Sequence, residues 1–345
     1  MSFFIECGGQ KYIDKLQAIN KHKETGCALR FETPPHYDNF NFSRPIIPSL
    51  EDLCEQQARK IRESHDVVVL WYSGGCDSHY ILDTFLKHKI KIDKLHLVKS
   101  GFSDADFEID QYAIPVAKDT GIPFEVFAPD IEYYKSFYLE NKPMLGTENN
   151  MWHHFRLNNH FENLSKLERD GVAHVFGKEK PKLCYVGDKW YTYFLDVEIT
   201  NQTGQINFYC DDPIIYAKQC QMLVQEIEKH KDRDVYNQIT HYDEHQDFWN
   251  RAIGRYTTKS FPMKELVTDG NFNNKDSLAI AQAPAELVNA WKLRNDRVAD
   301  DVGRQYFNQG DPALGTIGVF SKFYCLTNNS IKTVDELFPD GFKIQ

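Results

Sequence analysis

A continuous apolar run at Val67–Trp71 narrows the possible folds of this chain more than any other feature. β-branched residues dominate the run and no polar residue alternates with them, which is typical of a strand buried on both faces of a parallel sheet. Gly74 and Gly75 follow it, and a helical pattern begins near Asp77. A strand, a glycine turn and a helix in this order predict the first unit of an α/β fold.

The same order of elements recurs along the chain. Further strands are predicted at Lys94–Val98, Phe124–Phe127 and Ala173–Phe176, together with a helix over 106–120 that Pro115 must kink or restart. Repeated units of this kind predict a doubly wound, mostly parallel sheet.

Three regions follow from this pattern. Residues 1–64 are predicted to be an N-terminal extension with a helix over 49–64. Residues 65–200 hold the sheet, and residues 201–345 are predicted to be a largely helical C-terminal region on the substrate side.

Local signals add detail to these regions. Ser49 and Asp52 fit a capping box, which predicts where the helix over 49–64 begins. Residues 183–199 have the pattern of a β-hairpin. Asp212 as N-cap and Pro213 as first helical residue predict a further helix, extending to about residue 231.

The turn after the first strand spans residues 73–78 and reads S-G-G-C-D-S. Its glycines permit an anion to approach the main chain closely, and the N–H groups at the start of the helix face that anion. Ser73 and Ser78 add hydroxyl donors. A carboxylate repels phosphate, so Asp77 is interpreted as a Mg²⁺ ligand. The turn predicts a phosphate and magnesium site at the C-terminal edge of the sheet.

Spacing distinguishes this turn from two familiar phosphate loops. It contains neither the G-x-x-x-x-G-K-[ST] order of a Walker A loop nor the G-x-G-x-x-G order of a dinucleotide loop. The alternative interpretation is a simple Gly-Gly turn in which Asp77 caps the helix.

The S-G-G-x-D-S order at 73–78 resembles the PP-loop ATP pyrophosphatases, also called the adenine nucleotide alpha hydrolase group. Asparagine synthetase and 7-cyano-7-deazaguanine synthase-type domains belong to that group. The likeness in pattern covers about residues 60–200, and the likeness in specific residues covers the turn. The resemblance implies a Rossmann-like, HUP-type fold with ATP and Mg²⁺ as cofactors.

The resemblance also implies which residues contact the nucleotide. The pyrophosphate would lie on the turn, and the adenine would lie against the ends of the first two strands, mainly through backbone atoms. The implied nucleotide contacts are Trp71, Tyr72, Ser73, Gly74, Gly75, Cys76, Asp77, Ser78, Val98, Lys99 and Gly177, with Asp77 also the metal ligand.

Two lysines, Lys178 and Lys180, follow the fourth strand directly. In a parallel sheet this strand end lies at the same edge as the turn at 73–78. With Asp77 they are the candidate catalytic residues, because they can neutralise the phosphates of ATP or the departing pyrophosphate. The alternative is a solvated charged turn.

Two further groups of residues have the composition of metal sites. Asp104, Asp106 and Glu108 follow the second strand, either as carboxylates near a metal or as acids that favour a helix N-terminus. His241 and His245 lie one helical turn apart and can share a metal, but a polar helix face is the preferred interpretation.

Eight cysteines are scattered without C-x-x-C spacing, which predicts free thiols in a reducing cytosol. Cys184 is the candidate partner of Cys76 if the chemistry is sulfur transfer. Cys325 does not match the cysteine motif of the phosphosulfate reductases.

Charge and hydropathy argue against a nucleic-acid-binding, a membrane-spanning or a secreted protein. The formal charge of −10 argues against a broad nucleic-acid surface. No apolar run approaches the roughly 20 residues of a membrane span, and the first residues do not resemble a secretory signal. We therefore expect a cytoplasmic protein.

These observations lead to one main hypothesis. It is an ATP-dependent adenylating enzyme of the ligase type that converts ATP to AMP and pyrophosphate. It would activate a carboxylate or amide carbonyl of a small-molecule or nucleoside-type acceptor for attack by a nitrogen or sulfur nucleophile. The alternatives are a sulfonucleotide reductase-like protein and a non-catalytic nucleotide-binding module.

Overall fold

The computed structural model describes most of the N-terminal half of the chain and parts of the C-terminal half. The described residues are 4–12, 15–99, 106, 109–128, 171–177, 181–194, 205–230 and 320–339. The described strands form three sheets, and the parallel one contains the run at Val67–Trp71.

The N-terminal residues form a small antiparallel sheet. Its strands are β1 (Phe4–Cys7), β2 (Gln10–Tyr12) and β3 (Arg30–Glu32), in the order β2-β1-β3, and helix α1 (Lys15–Thr25) lies between β2 and β3 in the chain.

A disulfide joins Cys7, at the end of β1, to Cys27, and their Cα atoms are 5.6 Å apart. The prediction of free thiols is therefore wrong for this pair, because strand pairing and α1 bring together two cysteines that have no recognisable spacing in sequence. The remaining six cysteines are free and buried.

A capping box begins the helix that precedes the parallel sheet, as predicted. After the one-turn helix α2 (Pro35–Asp38), helix α3 extends over Leu50–Ser64. The Asp52 N–H donates to Ser49 Oγ at 3.0 Å, and the Ser49 N–H donates to Asp52 Oδ2 at 3.1 Å. The helix buries its apolar face, formed by Leu50, Leu53, Cys54, Ala58 and Ile61.

After α3, strands and helices alternate in the chain up to Phe127. The next elements are β4 (Val67–Trp71), α4 (Cys76–Lys87), β5 (Lys94–Val98), a π-helical turn (Ile109–Ala113), α5 (Ile114–Thr120), β6 (Phe124–Phe127) and β7 (Val172–Phe176). They are followed by β8 (Lys182–Val186), β9 (Lys189–Tyr193), β10 (Gln205–Asn207), α6 (Pro213–His230), β11 (Phe323–Cys325), β12 (Ile331–Lys332) and α7 (Val334–Leu337).

The central sheet has five parallel strands in the order β10-β7-β4-β5-β6. The chain starts at the central strand β4, moves outward through β5 and β6, and returns to β7 on the other side of β4. The predicted parallel α/β sheet is thereby confirmed. Ligands of such sheets bind at the carboxyl ends of the strands where the direction of winding reverses, which here is beside β4.

Val68–Trp71 are buried, with side chains on both faces of this sheet as predicted, whereas Val67 at the start of the run is exposed. Val68 and Leu70 pack in the main core with residues of α3, α4, α5 and α6, whereas Val69 and Trp71 pack with Phe176 on the opposite face. Pro115 lies in the first turn of α5, directly after the π-helical turn, so it starts a helix rather than kinking one.

A second antiparallel sheet has the order β12-β11-β9-β8. Its β8–β9 pair is the predicted hairpin, and β11 pairs with β9 from a distant part of the chain. Strands β10, β11 and β12 were not predicted, and they lie in the region expected to be mainly helical. Helix α6 begins at Pro213 as predicted, and the Ile214 N–H donates to Asp212 Oδ1 at 3.0 Å. Within the described residues, no helix combines the length and hydropathy that crossing a membrane requires.

Candidate functional site

The turn at residues 73–78 leaves the carboxyl end of the central strand β4. The Tyr72 N–H donates to the His96 carbonyl at 2.9 Å, which extends the pairing with β5 by one residue. Gly75 is the N-cap of α4, and the His79 N–H donates to the Gly75 carbonyl at 3.0 Å as the helix begins. An α-helix provides no internal acceptor for the N–H groups of its first turn. The first turn of α4 begins at this edge of the sheet, directly after the turn at 73–78.

Gly74 is required by its conformation and by its surroundings. Its φ of +82° lies in the left-handed region, and a Cβ at this position would be 3.0 Å from the Ala113 nitrogen. The turn is therefore packed tightly against the end of the π-helical turn.

The two serine hydroxyls form hydrogen bonds to other groups within the turn at 73–78. The Ser73 N–H donates to Ser78 Oγ at 3.2 Å, the Gly75 N–H donates to Ser73 Oγ at 3.3 Å, and Ser78 Oγ donates to the Gly75 carbonyl at 3.2 Å. These bonds are long, so each contributes little stabilisation. Ser73 and Ser78 lie together as the motif predicts, and their hydroxyls can be redirected to an anion at small cost.

Residues that follow strands β7 and β10 contact the first turn of α4. A Cβ at Gly177, directly after β7, would be 3.0 Å from the Ser78 nitrogen and 3.1 Å from the Asp77 carbonyl carbon. Tyr209 follows β10, and its Oη donates to the Asp77 carbonyl oxygen at 2.7 Å. Sequence reasoning identified Gly177 but missed Tyr209, since no local pattern marks a contact across 132 residues.

The chemical groups of this turn fit a phosphate with a bound magnesium ion. Helix α4 has 12 residues, so its N-terminus carries a helix dipole that favours an anion. Asp77 is half-buried in the first turn. The described residues contain no group of three or more His, Cys, Asp or Glu that could hold a metal. A single carboxylate such as Asp77, together with water and phosphate oxygens, is a usual ligand set for Mg²⁺.

The resemblance implies that Trp71 and Tyr72 lie near an adenine, but their side chains pack in the interior of the protein. The Tyr72 Oη is 2.8 Å from His79 Nδ1, and the Trp71 ring stacks on Phe176 with centroids 4.8 Å apart. Both side chains are buried. Contacts from these two residues to a nucleotide would have to come from the main chain, as the resemblance implies.

Val98 and Lys99 lie at the carboxyl end of the neighbouring strand β5. Val98 packs beside Trp71, and the Lys99 N–H donates to the Phe127 carbonyl at 2.8 Å. The Lys99 ammonium pairs with Asp110 at 2.6 Å. The Lys99 N–H is therefore engaged in the sheet, and its ammonium is engaged in the ion pair with Asp110.

An additional carboxyl group with a shifted pKa follows strand β10 in the chain. Asp211 follows β10, and its N–H donates to the Asn207 carbonyl at 2.8 Å. Burial raises the pKa of the Asp211 carboxyl to about 7. This group can exchange a proton near neutral pH, and the sequence contained no signal for it.

Several predicted residues cannot be compared with the structure. Lys178, Lys180, Asp104, Glu108 and the pair His241 and His245 lie outside the described residues. Asp106, the second of the three acids after β5, is buried.

The free cysteines are buried in the interior of the protein. Cys76 and Cys184 are buried, and burial raises the pKa of the Cys184 thiol far above its usual range. Burial also raises the pKa of Cys220 to about 12. Thiols of this kind are poor nucleophiles, because the thiolate is the reactive form.

No protein-family model matches the chain, and no curated protein matches it at a significant level. Its function is therefore inferred from the turn at 73–78 and the sheet that carries it.

Proposed function

We propose that this protein is an ATP-dependent adenylating enzyme of the PP-loop type, with a Rossmann-like, HUP-type nucleotide-binding sheet. It would cleave ATP to AMP and pyrophosphate while activating a carboxylate or an amide carbonyl. The acceptor would be a small molecule or a nucleoside-type compound, and the final nucleophile would be nitrogen or sulfur.

One observation carries this proposal. The S-G-G-C-D-S turn lies at the carboxyl end of the central parallel strand and leads into the N-terminus of α4. A helix N-terminus at this edge suits the phosphates of a nucleotide. The close approach of Gly177 to the Asp77–Ser78 peptide supports it, because Gly177 lies at the exit of the adjacent strand.

The proposed reaction relies on positioning and charge stabilisation. An oxygen of the acceptor attacks the α-phosphorus of ATP, and the bond to the bridging oxygen of pyrophosphate breaks. The N–H groups at the start of α4 stabilise the charge on the departing pyrophosphate, with Lys178 and Lys180 as further candidate cations. Magnesium, when bound at Asp77, supplies additional neutralisation of the phosphate oxygens. The nitrogen or sulfur nucleophile then displaces AMP from the activated carbon.

The reductase alternative receives less support. It requires an accessible redox cysteine, and the free cysteines of the described residues are all buried. The non-catalytic alternative has no observation in its favour, and Asp77 would be an unnecessary carboxylate in a site that only binds phosphate.

A product assay tests the proposed function. The protein is incubated with ATP, Mg²⁺ and a pool of candidate acceptors, and AMP and pyrophosphate are measured separately from ADP and phosphate. We expect AMP and pyrophosphate in equal amounts, and loss of turnover in Asp77→Asn. Asp119→Asn, an exposed aspartate on α5, is the matched control and should retain activity. ATP binding without any turnover would favour the non-catalytic module, and formation of ADP would contradict cleavage at the α-phosphorus.

The cytoplasm remains the proposed compartment. Six free thiols fit a reducing environment, whereas the disulfide between Cys7 and Cys27 is unusual there. Alkylation of thiols in intact cells, followed by mass spectrometry of the peptides with Cys7 and Cys27, would test this: fully alkylated cysteines fit the cytoplasm.

A further inference from the structure

Tyr209 makes an unusual contact with the first turn of α4. The side chain is fully buried, and its Oη donates to the Asp77 carbonyl oxygen at 2.7 Å. In an α-helix this carbonyl also accepts the N–H four residues later, that of Ile81. The tyrosine therefore adds a second donor to a carbonyl that the helix already satisfies.

The backbone that carries Tyr209 is itself fixed. The Phe208 N–H donates to the Phe176 carbonyl at 3.0 Å, which continues the pairing of β10 with β7 up to the residue before Tyr209. The Cys210 N–H then donates to the Asn207 carbonyl at 2.9 Å and closes a turn. Tyr209 is thus presented to α4 from the rigid end of the sheet.

The same peptide unit is in close contact with Gly177. A Cβ at Gly177 would lie 3.1 Å from the Asp77 carbonyl carbon and 3.0 Å from the Ser78 nitrogen. Residues directly after β7 and β10, Gly177 and Tyr209, therefore both contact the peptide between Asp77 and Ser78. This peptide determines where the Asp77 side chain begins and where the Ser78 N–H points.

We propose that Tyr209 is a positioning residue for the magnesium-nucleotide site, acting through the main chain of Asp77. This inference rests on the proposed function, since it assigns Tyr209 to the site that Asp77 and the turn at 73–78 form. The bond supplies the buried Tyr209 hydroxyl with an acceptor, and it also ties the peptide that carries Asp77 to the end of the sheet.

The chain offers a matched control for this hydroxyl. Tyr37 is equally buried, and its Oη donates to the carbonyl of Cys210, the residue next to Tyr209. Tyr37→Phe and Tyr209→Phe each remove one buried hydroxyl and its bond to a main-chain oxygen. The Tyr37 hydroxyl bonds Cys210, which lies outside the turn at 73–78, so we expect Tyr209→Phe and not Tyr37→Phe to affect a nucleotide.

The experiment compares MgATP binding by the full-length protein and these two variants. Calorimetric titration over a range of Mg²⁺ concentrations gives the dissociation constant and its dependence on magnesium, and urea unfolding checks that each variant is folded. Loss of one hydrogen bond corresponds to about a 5- to 10-fold change in an equilibrium constant. We expect Tyr209→Phe to weaken MgATP binding by about that factor and to require more Mg²⁺, with Tyr37→Phe within about twofold of the parent.

The outcomes separate this inference from the proposed function. If the parent protein binds no MgATP, the proposed function fails and this inference fails with it. If the parent binds MgATP and Tyr209→Phe binds it equally well, or if Tyr37→Phe is weakened to the same extent, only the role of Tyr209 is overturned. Faster amide hydrogen exchange in residues 76–82 of Tyr209→Phe, but not of Tyr37→Phe, would show that the hydroxyl fixes the start of α4, and the positioning role requires weaker MgATP binding as well.

Discussion

Gly177 lies so close to Ser78 that a Cβ at position 177 would be 3.0 Å from the Ser78 nitrogen. The second neighbour of that Cβ, the Asp77 carbonyl carbon at 3.1 Å, is also main chain, so these two atoms cannot move aside as the Ile81 side chain at 3.2 Å can. The exit of β7 and the start of α4 are therefore packed as closely as a glycine allows.

Gly177→Ala should force these two elements apart. We expect a loss of about 1–3 kcal/mol in the free energy of unfolding, as for other overpacked positions. Because the displaced peptide carries the Ser78 N–H, MgATP binding should weaken as well. Urea unfolding and titration with MgATP measure the two effects. A Gly177→Ala protein with parental stability and affinity would contradict the close packing.

Gly74→Ala should be more costly than the same substitution at Gly121. Both glycines have positive φ, +82° and +68°, but Gly121 has open space around it whereas Gly74 faces Ala113. The left-handed backbone costs about 1–2 kcal/mol at either position. The contact with Ala113 should add about 1–3 kcal/mol for Gly74→Ala alone.

A double variant separates these two costs at Gly74. Ala113→Gly in the Gly74→Ala background removes the Ala113 Cβ, 3.1 Å from the new methyl group, but leaves the Ala113 nitrogen at 3.0 Å. We therefore expect partial recovery of stability in urea unfolding. Equal losses for Gly74→Ala and Gly121→Ala would show that only the backbone conformation matters.

Local sequence patterns were sufficient to predict the strand and the helices around the candidate site. The apolar run before Ser73, the capping pair Ser49 and Asp52, and the Asp212–Pro213 helix start all depend on neighbours within a few residues. Their physical causes, burial of a strand and satisfaction of helix N–H groups, are fully encoded locally.

Contacts between distant residues could not be predicted in the same way. The Tyr209–Asp77 hydrogen bond spans 132 positions, and β11 pairs with β9 across more than a hundred residues. The partner of a buried hydroxyl depends on which elements the fold brings together, and no periodicity records it. The same reason explains why Cys7 and Cys27 were expected to be free thiols.

The disulfide between Cys7 and Cys27 should stabilise the N-terminal sheet against unfolding. It links the end of β1 to the segment after α1 across a sequence separation of 20 residues. Closing a loop of that size restricts the unfolded chain by about 3 kcal/mol. We therefore expect reductant to lower the melting temperature, as measured by circular dichroism.

Two serine variants control for the effect of reductant on the other cysteines. Cys27→Ser should melt at the same temperature with and without reductant. Cys54→Ser, which removes a buried free thiol from α3, should keep the response of the parent protein. If reductant does not change the melting temperature of the parent, the disulfide does not form in solution.

His96 should make the protein less stable as the pH falls from about 6.5 to about 4. The side chain is buried against Trp71, with ring centroids 4.3 Å apart, and neither ring nitrogen has a hydrogen-bond partner among the described residues. Burial lowers the pKa of His96 to about 4, whereas a histidine in the unfolded chain titrates near 6.5.

The unfolded chain therefore takes up the proton first, so stability is complete above about pH 6.5 and is lost progressively down to about pH 4. The difference in pKa corresponds to a loss on the order of 3 kcal/mol. His96→Phe keeps an aromatic ring beside Trp71 and removes the titrating group. Urea unfolding at a series of pH values should give a smaller slope for His96→Phe over this interval. An unchanged slope in His96→Phe would assign the acid sensitivity to other groups.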